Sequence, residues 1–93
     1  MLEKRIFSNG QKVYELKDQT LTYYFKNGEL KAVGPFIKNK KEGQWEYYHR
    51  GGQLWKTGEY KGGKKHGRWQ HFSPEGQDEV DKLFDHGVQV RYE

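Results

Sequence analysis

The stretch EGQWEYYHRGGQLWKTGEY, Glu42 to Tyr60, decides how the rest of the chain is read. Five of its nineteen residues are aromatic and four are glycine, while nearly all the others are polar. A fold built on such text has to bury rings. Tyr and Trp suit that task, because each carries a large apolar surface and a polar tip that can stay wet. The glycines divide the stretch into a ring-rich run (Gln44 to His49), a turn (Arg50 to Gly52) and a second run (Gln53 to Lys61). Short runs of this kind broken by Gly-Gly signal a β-hairpin.

Working outward, the same text recurs every 24 residues, in blocks that start at Leu21, Trp45 and Trp69. Tyr24, Tyr48 and Phe72 align, as do Gly28, Gly52 and Gly76, and then Phe36, Tyr60 and Phe84. Gly43 aligns with Gly67, and Gly63 with Gly87. The first two blocks share eight identities and the last two share four, so the third block has diverged. Asn27-Gly28 and Gly51-Gly52 occupy one point of the period, where glycine makes positive φ cheap. Lys38-Asn39-Lys40 and Gly62-Gly63-Lys64 mark the opposite end of each hairpin. The N-terminal text RIFSNGQKVYEL matches FKNGELKAV at a shift of 18, as a shortened hairpin around Asn9-Gly10. The tail, Val88 to Glu93, reads as a closing strand. VDKLFD is too short for a helix and fits a strand. These signals predict an all-β chain: an elongated antiparallel meander of β-hairpins in which each hairpin contacts mainly its neighbours. The expected organisation is a single domain over residues 1–93, with a cap at 1–19 and repeats at about 20–43, 44–67 and 68–91.

Composition bounds the function. The chain has 93 residues, 16% of them aromatic, which argues against the disorder that 32% charge would otherwise suggest. Seventeen Lys and Arg against thirteen acids give a net charge of +4, a mild tilt toward acidic partners. There is no cysteine, hence no disulfide, thiolate nucleophile or zinc knuckle. The start, MLEKRIFSNG, lacks the apolar run of a signal peptide, and no stretch nears the roughly 20 apolar residues of a membrane-spanning helix. The expectation is a cytoplasmic protein.

The segment Gly43 to Trp69, GQWEYYHRGGQLWKTGEYKGGKKHGRW, resembles the MORN-repeat family in its bacterial variant form. A G-x-W-x-Y-Y opening, a glycine turn, G-x-Y and a G-x-K-x-x-G-x-W junction follow in order. The first block keeps most of this, with Gln19 and Leu21 in place of the opening Gly and Trp. The third departs after Gly76, where QDEVDKLFD replaces the Leu and G-x-Y elements. The likeness covers roughly residues 20 to 90. It implies an open solenoid of hairpins and a scaffold or interaction module. Small bacterial members are similar to antitoxins of toxin–antitoxin pairs, and membrane-lipid binding has been proposed for the family. The resemblance implies no catalytic residue.

Position-by-position recurrence marks Trp45, Tyr48, Tyr60, Trp69, Phe72 and Phe84 as packing residues and Gly52, Gly67 and Gly76 as turn residues. Trp55 is different, because its aligned partners are Lys31 and Glu79. It alternates in phase with Gln53, Thr57 and Glu59, which places it on the wet face as a hot-spot candidate. The competing reading is a ring lying flat over its neighbours. The register decides which face it takes. A four-residue loop sets Tyr47 opposite Leu54, and a three-residue loop sets Tyr47 opposite Trp55.

Lys40 and Lys41 align with Lys64 and Lys65, and Lys38 and Lys61 flank the same turns, so a stacked meander gathers them into a positive edge. That edge would suit an acidic protein, anionic lipid or a phosphate backbone. Equally, lysines in solvated turns discourage sticking between sheet edges. Acidic residues gather in the third block, at Asp78, Glu79, Asp81 and Asp85. His49, His66, His71 and His86 lack tight metal-ligand spacing; His66 and His71 could approach across a turn, but no metal or cofactor is expected. Ser8 and Ser73 lie in no nucleophile motif, and the glycines open no phosphate-binding helix. The expected function is a non-enzymatic protein-interaction module, with Trp55, Lys40, Lys41, Lys61, Lys64 and Lys65 as the binding candidates. An antitoxin or immunity-like role is the specific version implied by the resemblance. The alternative is binding of anionic lipid or nucleic acid by the basic hairpin edge.

Overall fold

The computed structural model describes residues 6–79 and 81–90. It is an all-β antiparallel meander, with no helix among the described residues. Nine strands follow in order: β1 (Tyr14–Lys17), β2 (Thr20–Tyr24), β3 (Leu30–Ile37), β4 (Lys40–Lys41), β5 (Gly43–Tyr48), β6 (Leu54–Lys61), β7 (Lys64–His71), β8 (Lys82–Asp85) and β9 (Val88–Val90). The sheet order is β1-β2-β3-β5-β6-β7-β8-β9, with β4 on the end of β3, and the sheet stays open. Its extents are 48 × 34 × 19 Å, as expected of a single twisted layer. The tail expected at Val88 to Glu93 is a strand through Val90, and its last three residues lie outside the described chain, as do the first five of the expected cap.

Two kinds of turn alternate along the meander. At one edge, two-residue turns carry positive φ at both positions: Asp18 and Gln19, Lys38 and Asn39, Gly62 and Gly63, His86 and Gly87. Such turns match the right-handed twist of the strands they join. At the other edge, three-residue loops repeat one hydrogen-bond pair. Gly28, Gly52 and Gly76 donate to the carbonyls of Phe25, His49 and Ser73, and Gly10 donates in the same way to Phe7. The Asn9-Gly10 turn read from the sequence is therefore present.

The core is a line of rings on one face. Leu21, Trp45 and Trp69 are each 0% exposed, and Ala32 and Tyr60 complete the buried cluster. A single layer has no second sheet to cover such rings. Glycine solves this from below. A Cβ at Gly34 would lie 2.4 Å from the Trp45 indole, and one at Gly58 would lie 2.2 Å from that of Trp69. Each indole therefore lies flat on bare backbone. Opposite Gly58 the ladder breaks, since Thr57 pairs with Gln70 and Glu59 with His66. Gly43 and Gly67, both at positive φ, make the kinks that bring the Trp side chains across. The indole N–H groups donate to Pro35 O at 2.8 Å and Glu59 O at 3.1 Å, so neither polar tip is orphaned. Burying about 200 Å² per Trp is worth ~5 kcal/mol each before strain and entropy are subtracted.

The expectation that Tyr48 packs with the core rings is corrected. Along β5 side chains alternate, so Trp45 and Tyr47 share one face while Glu46 and Tyr48 share the other. Tyr48 hydrogen-bonds Glu46 at 2.9 Å, and Tyr47 takes the central place, 6.0 Å from Trp45 and 6.1 Å from Trp69 by ring centroids.

Candidate functional site

The ring face is roofed by lysine. Lys41 Nζ lies between 5.1 and 5.9 Å from the ring centroids of Tyr23, Trp45, Tyr47 and Tyr60. It also donates to the Tyr47 hydroxyl at 3.0 Å, and that hydroxyl meets Tyr60 Oη at 2.7 Å. Twenty-four residues on, Lys65 Nζ stands 5.1 Å from Trp69 and 4.9 Å from Phe84. The amines themselves lie over the rings, and both lysines are half-buried there. Cation–π contact explains why lysine, and not a purely apolar residue, can sit there.

The expected basic edge is thus split in two. Lys40, Lys61 and Lys64 stay exposed beside the two-residue turns; Lys40 packs along Gly63, and Lys64 along Gly87. Lys41 and Lys65 turn inward. The cause is alternation, because successive residues leave a turn on opposite faces.

Trp55 is also relocated. The register sets Tyr48 against Leu54 and Tyr47 against Lys56, which differs from both expected pairings. Trp55 is the extra residue of a β-bulge, and a bulge resets the alternation. Its ring stands edge-on to Tyr47 at 6.5 Å and lies 5.7 Å from His49, with 39% of the residue exposed. It belongs to the ring face, not to the opposite face that carries Gln44 and Thr57. Lys56 follows on the same face, its Nζ 4.2 Å from the Trp55 centroid and 4.8 Å from that of Tyr47. Sequence reasoning missed Lys56. The bulge that turns it to this face is a feature of the register that no residue in the sequence announces.

Five lysines therefore share this face: Lys31, Lys41, Lys56, Lys65 and Lys82. Among the described residues none of them pairs with a carboxylate; the ion pairs are Lys12–Glu15, Arg68–Asp81 and Asp85–His86. Other acids are engaged at the rims, where Glu29 accepts from Gly51 N and Glu42 from Gly62 N. The amines consequently feel burial and one another. Burial, then the charges of Lys65, Lys41 and Lys82, brings the Lys56 amine down to about 8. Lys41 and Lys65 are lowered in the same way, by burial first and neighbouring lysines second. Burial and the bond to Tyr60 push the Tyr47 phenol up. His71 is held below the usual imidazole range by burial and by Lys82 and Lys56. Titratable groups displaced by burial and like charge mark places that gain by taking a counter-charge.

The expected approach of His66 to His71 does not form the histidine cluster. His66 instead meets Asp85 and His86, whose ligand atoms lie within 4.8 Å of one another. These are the described residues that could share a metal ion, although Asp85 Oδ1 is spent on His86 Nδ1 at 2.6 Å. No helix of the described residues is long and apolar enough to cross a membrane. No family model, curated protein or solved structure matches the chain.

Proposed function

We propose that this protein is a non-catalytic interaction module that takes an acidic segment of another protein on its ring-and-lysine face. One observation carries this reading: five lysines crowd a ring-lined surface with no carboxylate paired to them among the described residues. Cation–π contact accounts for single lysines over the rings, but it leaves the repulsion among the gathered charges uncompensated, and an acidic partner removes that repulsion and gains ring contact at Trp55 and Tyr47. A toxin restrained by an antitoxin or immunity-like partner is the specific version, and it rests on the resemblance of Gly43 to Trp69 to MORN-variant antitoxins.

A second reading has its own support. Lys40, Lys61 and Lys64 form an exposed row along the two-residue turns, and such a row suits anionic lipid or a phosphate backbone. Affinity capture from the host's lysate at low and near-physiological salt separates the two. Wild type is compared with a face variant (Lys31→Glu with Trp55→Ala) and an edge variant (Lys61→Glu with Lys64→Glu). One protein held at both salts by wild type and the edge variant, and lost by the face variant, supports the interaction module. Lipid or nucleic acid lost with salt and with the edge variant overturns it in favour of the basic edge.

A further inference from the structure

The spacing of 24 residues lets one cleft be compared with a filled version of itself. A cleft of about 240 Å³ opens on the ring face, lined by Tyr23, Lys31, Ala32, Lys41 and Tyr47. Ala32, 1% exposed, is its floor. Twenty-four residues on, the corresponding positions are Tyr47, Trp55, Lys56, Lys65 and His71. There the floor position carries Lys56, and its side chain lies against Tyr47 and Trp55. The register is the same in both places: Tyr23 pairs with Ala32 as Tyr47 pairs with Lys56, each beside a bulge. One methyl group where the later position has a lysine leaves the first cleft open.

The cleft is also rich in donors. The Lys41 ammonium has three protons to give and the Tyr47 and Tyr60 hydroxyls one each, against the two hydroxyl oxygens that accept within this network. Lys31 adds three more donors at the rim, and its amine stands 5.9 Å from the Phe25 ring centroid. Such a network is completed by an acceptor that brings negative charge. Ring walls keep water away and strengthen that contact.

We propose that this cleft is a socket for one Glu or Asp side chain of the acidic partner segment. The methylenes of that side chain lie against Tyr23, Tyr47 and Ala32, and its two carboxylate oxygens reach the Lys31 and Lys41 amines. This deepens the ring-face reading and rests on it. A planar carboxylate with two oxygens matches two amines set beside rings, and its apolar stem matches the methyl floor.

The test is Ala32→Lys, which fills the socket as the chain itself does at Lys56 and so keeps the fold, with the amide spectrum as the check. The probe is fluorescein-labelled hexaglutamate, read by anisotropy and by amide shifts. The socket predicts that Ala32→Lys weakens the peptide about tenfold although it adds a positive charge, and that Lys31→Gln weakens it about threefold. An affinity for Ala32→Lys equal to or tighter than wild type means that attraction is spread over the face; the socket is then wrong and the ring-face reading survives. Absence of any wild-type response to hexaglutamate overturns both. Oligothymidylate is run in parallel. Tighter binding of it that Ala32→Lys abolishes assigns the socket to phosphate and overturns the carboxylate.

Discussion

Gly58→Ala puts one methyl group where the Trp69 indole lies. The added carbon would sit 2.2 Å from the ring, and the obstacle is a fused aromatic system that is 0% exposed, not the end of a flexible side chain. Gly58 is not at positive φ, so alanine meets no left-handed backbone penalty there and the expected effect is steric. Trp69 must tilt away, give up the bond from its N–H to Glu59 O at 3.1 Å and part from Tyr60, whose ring centroid is 5.2 Å away. Overpacking costs about 1–3 kcal/mol, and partial loss of a buried Trp adds to it, so ~3 kcal/mol is expected. For a chain of this size that lowers Tm by roughly 12–24 °C. Urea unfolding followed by Trp fluorescence measures it. Gly52→Ala is the control, at φ 100° with open space around it, where only the backbone conformation costs, about 1–2 kcal/mol. A double-mutant cycle with Trp69→Leu isolates the clash: in the Leu background Gly58→Ala should cost less than about 1 kcal/mol. Leu21, the fully buried residue that aligns with Trp69 in the first block, shows that this position of the repeat accepts leucine. Gly58→Ala within about 0.5 kcal/mol of wild type, or strict additivity with Trp69→Leu, would falsify the claim that bare backbone is the bed for the indole.

Trp55→Ala should cost under about 1 kcal/mol in the same urea assay, since the ring caps a bulge at 39% exposure, whereas Trp45→Ala should cost ~3–5 kcal/mol; equal costs would refute the distinction. Tyr47→Phe removes the acceptor of Lys41 and the partner of Tyr60, so a loss of about 1–2 kcal/mol is expected, and an unchanged urea midpoint would count against the network. Stability should rise between pH 8 and 10. The Lys56 amine titrates at about 8 when folded and at its ordinary value of 10.5 when unfolded, so the unfolded chain binds more protons across that window. Above pH 10 the sign reverses, because Tyr23, Tyr47 and Tyr60 are raised in the folded chain and only the unfolded chain loses those protons. Urea midpoints from pH 7 to 11 test this; Lys56→Met should flatten the rise, and an unflattened rise assigns it elsewhere.

The hairpins, their glycine turns and the burial of Trp45, Tyr60 and Trp69 were legible in the sequence, because a packing position must recur wherever its packing partner recurs. Tyr48 shows where recurrence misleads. It aligns with Tyr24 and Phe72, yet strand alternation puts its neighbour Tyr47 beside Trp45. Trp55 and Lys56 lay beyond reach, since a bulge inserts one residue without any letter that announces it and every later side chain changes face. Gly34 and Gly58 stood in the text as part of G-P-F and G-E-Y, but their purpose is a steric fit between two strands, and no spacing states that. The split between Lys40 and Lys41 follows from the turn type. The socket depended on all of these at once, because Ala32 and Lys56 become informative only after both are known to face the rings.

Every strand after the first pairs with a strand that precedes it in the chain by a short turn, and this has a mechanical consequence. Among the described residues the hydrogen bonds between hairpins, such as Gly51 N to Glu29 and Gly62 N to Glu42, reach only into the neighbouring repeat, so tension applied to the two ends passes from ladder to ladder. It falls on the outermost ladder, β1 with β2 or β8 with β9, and opens that ladder one bond after another before the next one feels the load. The protein should unzip in steps at low force, and its firmest point should be the middle, where two indoles lie on two glycines. The same local pairing closes only small loops on folding, which favours rapid assembly for a β-protein.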